Sequence, residues 1–349
     1  MKQLIIVATQ VTGGKGGISS ALVGYIDGLN EKGIEPIIVT SHGKNMVVSW
    51  FNAFFKIMLL SIKYRNKAVF WFHCGPWLSL FRKFTLAVIP RLCGALTIGH
   101  IHSPTFSDYL QTSAMSRLFT KLSISPYQHL IALTPWWKSL FIKHSIKKTI
   151  TVSGNPNNQD YCDIAQQYML NPKPIAKDKK RIQILTMARL VEGKGIDLVI
   201  KSLCKLPEHF QLVIAGDGQL ASELKSLVNQ IDLSHRVTFL GWVAGSQKQA
   251  LLSQADIFCL PSTYDSFGMV FIEAMAFDLP VVAYDWGPIK DVVTPEVGLC
   301  CEQACSNEVA AHLLTISHDL TRYSGNGPKR VLTEYTPQVV CENIAMLIR

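Results

Sequence analysis

Short apolar runs rich in β-branched and aromatic residues alternate with amphipathic stretches along most of the chain. LIIVAT (4–9) leads through a glycine-rich turn into SSALVGYIDGLNEKG (19–33), whose apolar spacing predicts a helix ending at Gly33. PIIVT (36–40), AVFWFH (68–73), LTIGHIH (96–102) and HLIALT (129–134) follow as short strand-like runs with helical patterns between them. The pattern stops after ITVSGNPNN (150–158), where Asn, Pro, Gln and Lys accumulate as far as NPKPIAKDKKR. It restarts with RIQILTMARL (181–190), QLVIAG (211–216), VTFLG (237–241), DIFCLP (256–261) and PVVAYD (280–285). Such alternation predicts an α/β chain of two Rossmann-like βα domains, each with a parallel sheet. The expected division is 1–165, a linker over 166–180, 181–330, and a C-terminal helix over 331–349 returning toward the first domain. Folds of this class bind ligands at the carboxyl ends of their strands, so two domains facing across a cleft would place the site there.

One stretch departs from the strand–helix rhythm. On a helical wheel, Val47, Phe51, Phe54, Phe55, Met58 and Ile62 share one side, while Ser49, Asn52, Lys56 and Lys63 share the other. Lys44, Lys63, Arg65 and Lys67 flank it. Two readings stand: a helix facing the core of a soluble domain, or one lying on a membrane surface. No window reaches the ~20 apolar residues of a bilayer span, and MKQLIIVATQ is too short in its apolar part for a signal peptide.

Charge sharpens the contrast between the halves. The 349 residues carry a net charge of +9, yet 1–170 hold 17 Lys/Arg against 6 Asp/Glu, and 171–349 hold 17 against 19. The whole excess lies in the first half, which favours anionic partners: nucleic acid, anionic lipid or phosphorylated substrates. Nine scattered cysteines, an odd number, exclude a disulfide scaffold and fit reduced, buried thiols; Cys300-Cys301-x3-Cys305 has no metal-ligand spacing.

Four segments carry candidate chemistry. TGGKGGISSA (12–21) sets four glycines between the first strand and its helix, which lets backbone approach a phosphate, although it is neither G-x-x-x-x-G-K-[ST] nor G-x-G-x-x-G. Gly216-x-Gly218-x-x-Ala221 fits the relaxed dinucleotide fingerprint and leaves a nicotinamide oxidoreductase as an alternative. Arg189 and Lys194, between a strand and a helix, are two cations suited to a diphosphate. Asp265 in the loop after DIFCLP and Glu273 on the following helix could converge on a polyol, with backbone N–H groups of Gly268, Met269 and Val270 at the helix start.

At these residues the sequence resembles the retaining GT-B glycosyltransferases of family 4. Asp265-x(7)-Glu273 is similar to that family's E-x(7)-E, with Asp in the first place. Phe267-Gly268-Met269-Val270 and Glu273-Ala274-Met275-Ala276 are similar to its F-G-[LM]-V and E-A-x-A. Arg189-Leu190 through Lys194-Gly195 carry R-L-x-x-x-K-G, Gly216-Asp217-Gly218 the G-x-G, and Phe239-Leu240-Gly241-Trp242-Val243 the F-L-G-x-V; Gly287-Pro288-Ile289-Lys290-Asp291 departs from G-G-x-x-E. The match over about 181–293 is specific; in the first half only Gly16-Gly17-Ile18-Ser19 and His100-Ile101-His102 resemble family features.

The resemblance implies a transferase moving a hexosyl or N-acetylhexosaminyl group, with retention, from a UDP- or GDP-sugar to a glycan or lipid-diphosphate-linked acceptor. The setting would be bacterial lipopolysaccharide O-antigen, capsule or exopolysaccharide assembly. It further implies catalytic roles for His102, Asp265 and Glu273 and diphosphate contacts from Gly16, Gly17, Arg189, Lys194, Gly268, Met269 and Val270. Nucleoside contacts would come from Gly216, Trp242, Val243 and Glu273. No metal and no cofactor beyond the donor is expected; two cations and a helix N-terminus can neutralise a leaving diphosphate, and no Asp-x-Asp pair follows a strand. An anionic membrane surface and no nucleic acid complete the expected partners, with the chain held peripherally on the cytoplasmic face of the inner membrane. A GT-B sugar-nucleotide epimerase is the other alternative.

Overall fold

The computed structural model describes residues 2–9, 17–43, 45–173 and 181–348, so the expected contributions of Gly16 and Lys44 lie outside the described residues. The chain divides into two compact units, Met1–Gln159 with Glu334–Arg349, and Asp160–Thr333.

The first unit runs β1 (Gln3–Ala8), α1 (Gly17–Glu31), β2 (Ile37–Thr40), α2 (Met46–Tyr64), β3 (Ala68–Cys74), α3 (Trp77–Leu92) and β4 (Leu96–Ile101). It continues with α4 (Phe106–Gln111), α5 (Ala114–Ser123), β5 (His129–Ala132), α6 (Pro135–Lys143) and β6 (Thr149–Val152). Then come α7 (Gln159–Leu170) and the second unit: β7 (Ile182–Met187), α8 (Ile196–Ser202), β8 (Phe210–Ala215), α9 (Ala221–Gln230), β9 (Val237–Gly241), α10 (Gly245–Gln254) and β10 (Ile257–Leu260). It ends with α11 (Met269–Ala276), β11 (Val281–Tyr284), α12 (Ile289–Val292), β12 (Gly298–Cys301), α13 (Ser306–His318) and α14 (Asn326–Glu334), before α15 (Pro337–Ile348) returns to the first unit.

Each unit is one six-stranded parallel sheet, ordered β2-β1-β3-β4-β5-β6 and β12-β11-β10-β7-β8-β9. Helices cover the sheet faces, which is why the central strands read as unbroken apolar runs: every residue of β3, AVFWFHC, is buried. In the second unit the order reverses between β7 and β10, which pair through Ile257–Ile184 and Phe258–Leu185. A crevice at such a reversal, beyond the strands' carboxyl ends, is where doubly wound sheets take ligands.

Two expectations are corrected. Residues 166–170, expected in the linker, are the last turn and more of α7, whose Tyr161, Cys162 and Ala165 are buried. Polar composition hid this helix because only one narrow stripe of it is apolar. Residues 331–349 are not one helix: 331–334 close α14, and Tyr335–Thr336 separate it from α15. The α15 backbone presses so closely on α1 that a Cβ on Gly28 would lie 2.3 Å from the Pro337 carbonyl oxygen. The Lys32–Glu342 ion pair (2.5 Å) and a Cys341 Sγ–H bond to the Tyr25 carbonyl (3.4 Å) fix that contact.

Of the two readings left open for α2, the core-facing one is not met. Its apolar side does not face the core: Val47, Phe51, Phe55 and Ile62 are exposed, and the buried line is Ala53, Ile57 and Ser61.

Candidate functional site

At the reversal of the second sheet, the loops after β7 and β10 are joined backbone to backbone. Thr263 N–H donates to the Gly193 carbonyl (2.8 Å), and a Cβ on Gly195 would stand 2.4 Å from the Pro261 carbonyl oxygen. Gly195 also has φ +66°, so only glycine fits both demands. This joint delivers Lys194 to Asp265: Nζ lies 2.8 Å from Oδ2, 3.1 Å from the Tyr264 carbonyl and 3.3 Å from Ser262 Oγ. The pair is mostly buried, at 12% and 21% side-chain exposure. All three ammonium protons thus have acceptors, and contact with a phosphate means exchanging one of them. Arg189, by contrast, is exposed at the end of β7 and has no side-chain partner among the described residues. Of the two expected cations it is the one ready for an anion.

Asp265 and Glu273 take different lysines. Glu273, buried on α11, accepts from Lys248 Nζ at 2.6 Å. Lys248 comes from α10, and its ammonium also stands 5.7 Å over the Tyr161 ring. Burial, then the Glu273 charge, pushes the Tyr161 phenol well above its ordinary range, so it stays a neutral donor. Sequence reasoning missed Lys248. A signal existed: a lysine in the opening turn of a helix opposes the helix dipole and needs a local anion to hold it there.

Gly268 is the N-cap of α11, and Met269 and Val270 are its first two residues. The first N–H groups of a helix have no intrahelical acceptor and are free to bind oxygen anions. Tyr264 stacks on Trp286 (5.9 Å between centroids) beside the same loop. Of the expected nucleoside contacts, Trp242 is exposed and Val243 buried, both just beyond β9.

Gly216 has another reason to be glycine: a Cβ there would fall 1.8 Å from the Ala188 carbonyl oxygen, and one on Gly218 2.4 Å from that of Leu190. Leu190 N–H bonds Asp217 O (2.9 Å), and Gly216 N–H bonds Gly241 O (2.7 Å). Loop-on-loop packing therefore accounts for the Gly-x-Gly that had raised the nicotinamide alternative.

In the first unit, the carboxyl ends of β3 and β4 gather His73, His100 and His102, all buried, with one ring nitrogen from each inside 4.8 Å. His73 Nδ1 and His102 Nε2 are 2.9 Å apart, and Lys83 is fully buried nearby with its Nζ on Ser79 Oγ (2.8 Å). Burial, then the Lys83 charge, lowers His102 to about 3. Burial likewise lowers His73 and His100, and it lowers Lys83 to about 8. The donor set alone would suit Zn(II) or copper, but a dication there would face the Lys83 ammonium. His102 is a neutral imidazole at physiological pH. Gly17, the first residue of α1, is exposed at that helix's N-terminus.

Residues 168–330 match the family model described as glycosyl transferases group 1. An uncharacterised glycosyltransferase of Methanocaldococcus jannaschii is 30% identical over 237 residues, 64% of this chain and 60% of that protein. In Homo sapiens, one subunit of phosphatidylinositol N-acetylglucosaminyltransferase is 25% identical over 310 residues, 82% of this chain and 63% of its own. The matched stretch is less than two thirds of either relative's length. Among solved structures, Anabaena HepE in complex with UDP superposes with a TM-score of 0.73 at 18% identity, covering 99% of both chains. Sucrose-phosphate synthase from Thermosynechococcus elongatus gives 0.77 at 19%, covering 99% of this chain and 98% of that one. These likenesses support a glycosyltransferase and do not favour the oxidoreductase. The chain has the GT-B fold of two Rossmann-like domains, and its residues 168–330 carry the pattern of glycosyl transferases group 1.

Proposed function

We propose that the protein transfers a sugar from a nucleoside-diphosphate sugar to a glycan or lipid-diphosphate-linked acceptor, with retention at the anomeric carbon. The proposed donor is a hexosyl or N-acetylhexosaminyl group carried on UDP or GDP; UDP is the nucleotide bound in the HepE structure, which supports the first of these. The observation that carries the reading is the cluster at the second sheet's reversal: free Arg189, the Lys194–Asp265 pair and the N-terminus of α11. As the bond from C1 to the diphosphate breaks, its electron pair leaves on a phosphate oxygen. Arg189, Lys194 and the Met269 and Val270 N–H groups are the donors for that charge. Glu273, paired with Lys248, suits paired hydroxyls of a ribose, and Trp242 offers an aromatic face near the base. In the first unit, the neutral imidazole of His102 suits a hydroxyl.

The biological setting we propose is bacterial surface-polysaccharide synthesis, with the chain held peripherally at the cytoplasmic face of the inner membrane, where a lipid-carried acceptor resides. The exposed apolar side of α2 and the basic first half support that placement. Incubation with a panel of nucleotide sugars and lipid-linked or glycan acceptors, with NMR of the product's anomeric proton, tests the function. The expected product keeps the donor's configuration. An inverted product, or only epimerised or hydrolysed sugar, contradicts it.

A further inference from the structure

Outside the site, the most unusual feature of the molecule is how much apolar helix surface the first unit leaves uncovered. On α5, Met115, Leu118, Phe119 and Leu122 have the i, i+3, i+4, i+7 spacing of a core-facing stripe, yet all four are exposed, Met115 at 76%. On α3, Leu78, Phe81 and Leu92 are exposed on one side. On α2 the exposed line runs Phe51, Phe55, Leu59 and Ile62, opposite the buried Ala53, Ile57 and Ser61.

The three helices are laterally joined. Trp50 Nε1–H of α2 donates to Thr85 Oγ1 of α3 (3.2 Å), and Phe119 of α5 packs on both Trp77 (5.0 Å) and Phe81 (6.2 Å) of α3. Monomeric soluble proteins rarely expose contiguous apolar area of this extent without a partner.

The charge around these helices selects the partner. Residues 36–150 contain fourteen Lys/Arg and a single acid, Asp108. Lys56 and Lys63 border the α2 stripe, and Arg117 and Lys121 share α5 with its stripe. A self-associating face or one that meets an ordinary protein surface needs acids to balance such a field; an anionic bilayer supplies them. Met46–Lys67 is the one helix among the described residues long and apolar enough to cross a membrane. It cannot do so in this fold, because β2 and β3, the strands it connects, both pair in parallel with β1. It lies along the sheet, and its outer side is available to lie on a bilayer.

We infer that α2, α3 and α5 together form one apolar plate, rimmed by cations, that seats the first unit on an anionic phospholipid surface. The inference rests on the peripheral placement proposed above and extends it from one helix to three, with α5 as an independent contact.

Co-sedimentation of the full chain with phosphatidylglycerol/phosphatidylcholine vesicles tests this, with no donor or acceptor present. UDP affinity on the same preparations reports separately on the proposed reaction. Leu118→Asp with Leu122→Asp should weaken vesicle binding at least about tenfold, since each removes a Leu from the apolar phase. The melting temperature should not move, because both side chains are exposed. The milder Met115→Ser and Lys121→Gln should each weaken binding by about fivefold or less, Lys121→Gln losing its effect at high salt. Unchanged binding in the α5 variants while Phe55→Asp and Leu59→Asp abolish it would overturn the three-helix plate. Equal binding to pure phosphatidylcholine would overturn the anionic partner. A dimer split by the α5 changes, with no vesicle binding, would give the face to a second copy of the chain.

Discussion

Replacing Lys194 with alanine separates two jobs that one sequence motif assigns jointly to Arg189 and Lys194. The Lys194 ammonium is held by Asp265, Tyr264 O and Ser262, in a pair only 12% and 21% exposed. Its loss leaves Asp265 without its cation, and hydrogen bonds to charged groups contribute about 1.5–3 kcal/mol each. Partial solvent access places this one at the lower end, about 1.5 kcal/mol of stability. Arg189 is exposed and unpartnered, so Arg189→Ala should change stability by less than about 0.5 kcal/mol. Affinity for a nucleoside diphosphate should follow the opposite order. Arg189 gains a charge-assisted contact outright, worth about 10–150-fold, whereas Lys194 exchanges one acceptor for another and should cost nearer tenfold. Urea denaturation followed by tryptophan fluorescence, with calorimetric titration of UDP and GDP, measures both. Lys194→Ala with Asp265→Ala should recover part of the lost stability, a coupling of about 1 kcal/mol. If Arg189→Ala destabilises as much as Lys194→Ala, or if neither changes affinity, the reasoning fails.

Three further outcomes are expected. Gly216→Ala should destabilise the second unit by more than about 2 kcal/mol, since its Cβ would overlap the Ala188 carbonyl oxygen at 1.8 Å; a variant that melts like the parent contradicts the packing argument. His73, His100 and His102 are all held below their ordinary value, so the stability of the first unit should be full above pH 6.5 and fall as pH drops from there toward 3. Each imidazole that protonates only on unfolding contributes a slope of about 1.4 kcal/mol per pH unit; His100→Gln should lower the slope, and a flat urea midpoint between pH 7 and 5 argues against neutral buried histidines. Transfer should survive exhaustive chelation, because Arg189, Lys194 and the α11 N-terminus can take the diphosphate charge; activity restored only by added manganese contradicts this.

Strand positions were legible because parallel strands buried on both faces must be apolar throughout, as LIIVAT, AVFWFH and DIFCLP are. Chain-wide alternation then left few topologies to consider. What periodicity could not convey is which side of an amphipathic helix meets the core. Phe51, Phe55 and Ile62 belong to an apolar stripe for which the pattern leaves core and membrane surface both open, and the sheet takes the smaller Ala53, Ile57 and Ser61. In the candidate site, motif spacing singles out Arg189, Lys194, Asp265 and Glu273 but not their pairing with one another or with Lys248. Lys248 lies seventeen residues before Asp265 and twenty-five before Glu273, and only the parallel order β7-β10 with α10 alongside brings such residues together. The Gly216–Gly218 pair shows the converse: its spacing fits a dinucleotide turn, while the requirement it meets is close approach of two loops.

The central claim is that the second unit binds a nucleoside-diphosphate sugar through Arg189, Lys194, Glu273 and the N-terminus of α11. Calorimetric titration of the full chain with UDP and GDP, repeated on Arg189→Ala and Glu273→Gln, tests it most directly. Saturable one-to-one binding of one nucleotide, weakened at least about tenfold in each variant while the melting temperature of Arg189→Ala stays put, is the predicted result. No binding of either nucleotide to a folded chain, or binding indifferent to both substitutions, contradicts it.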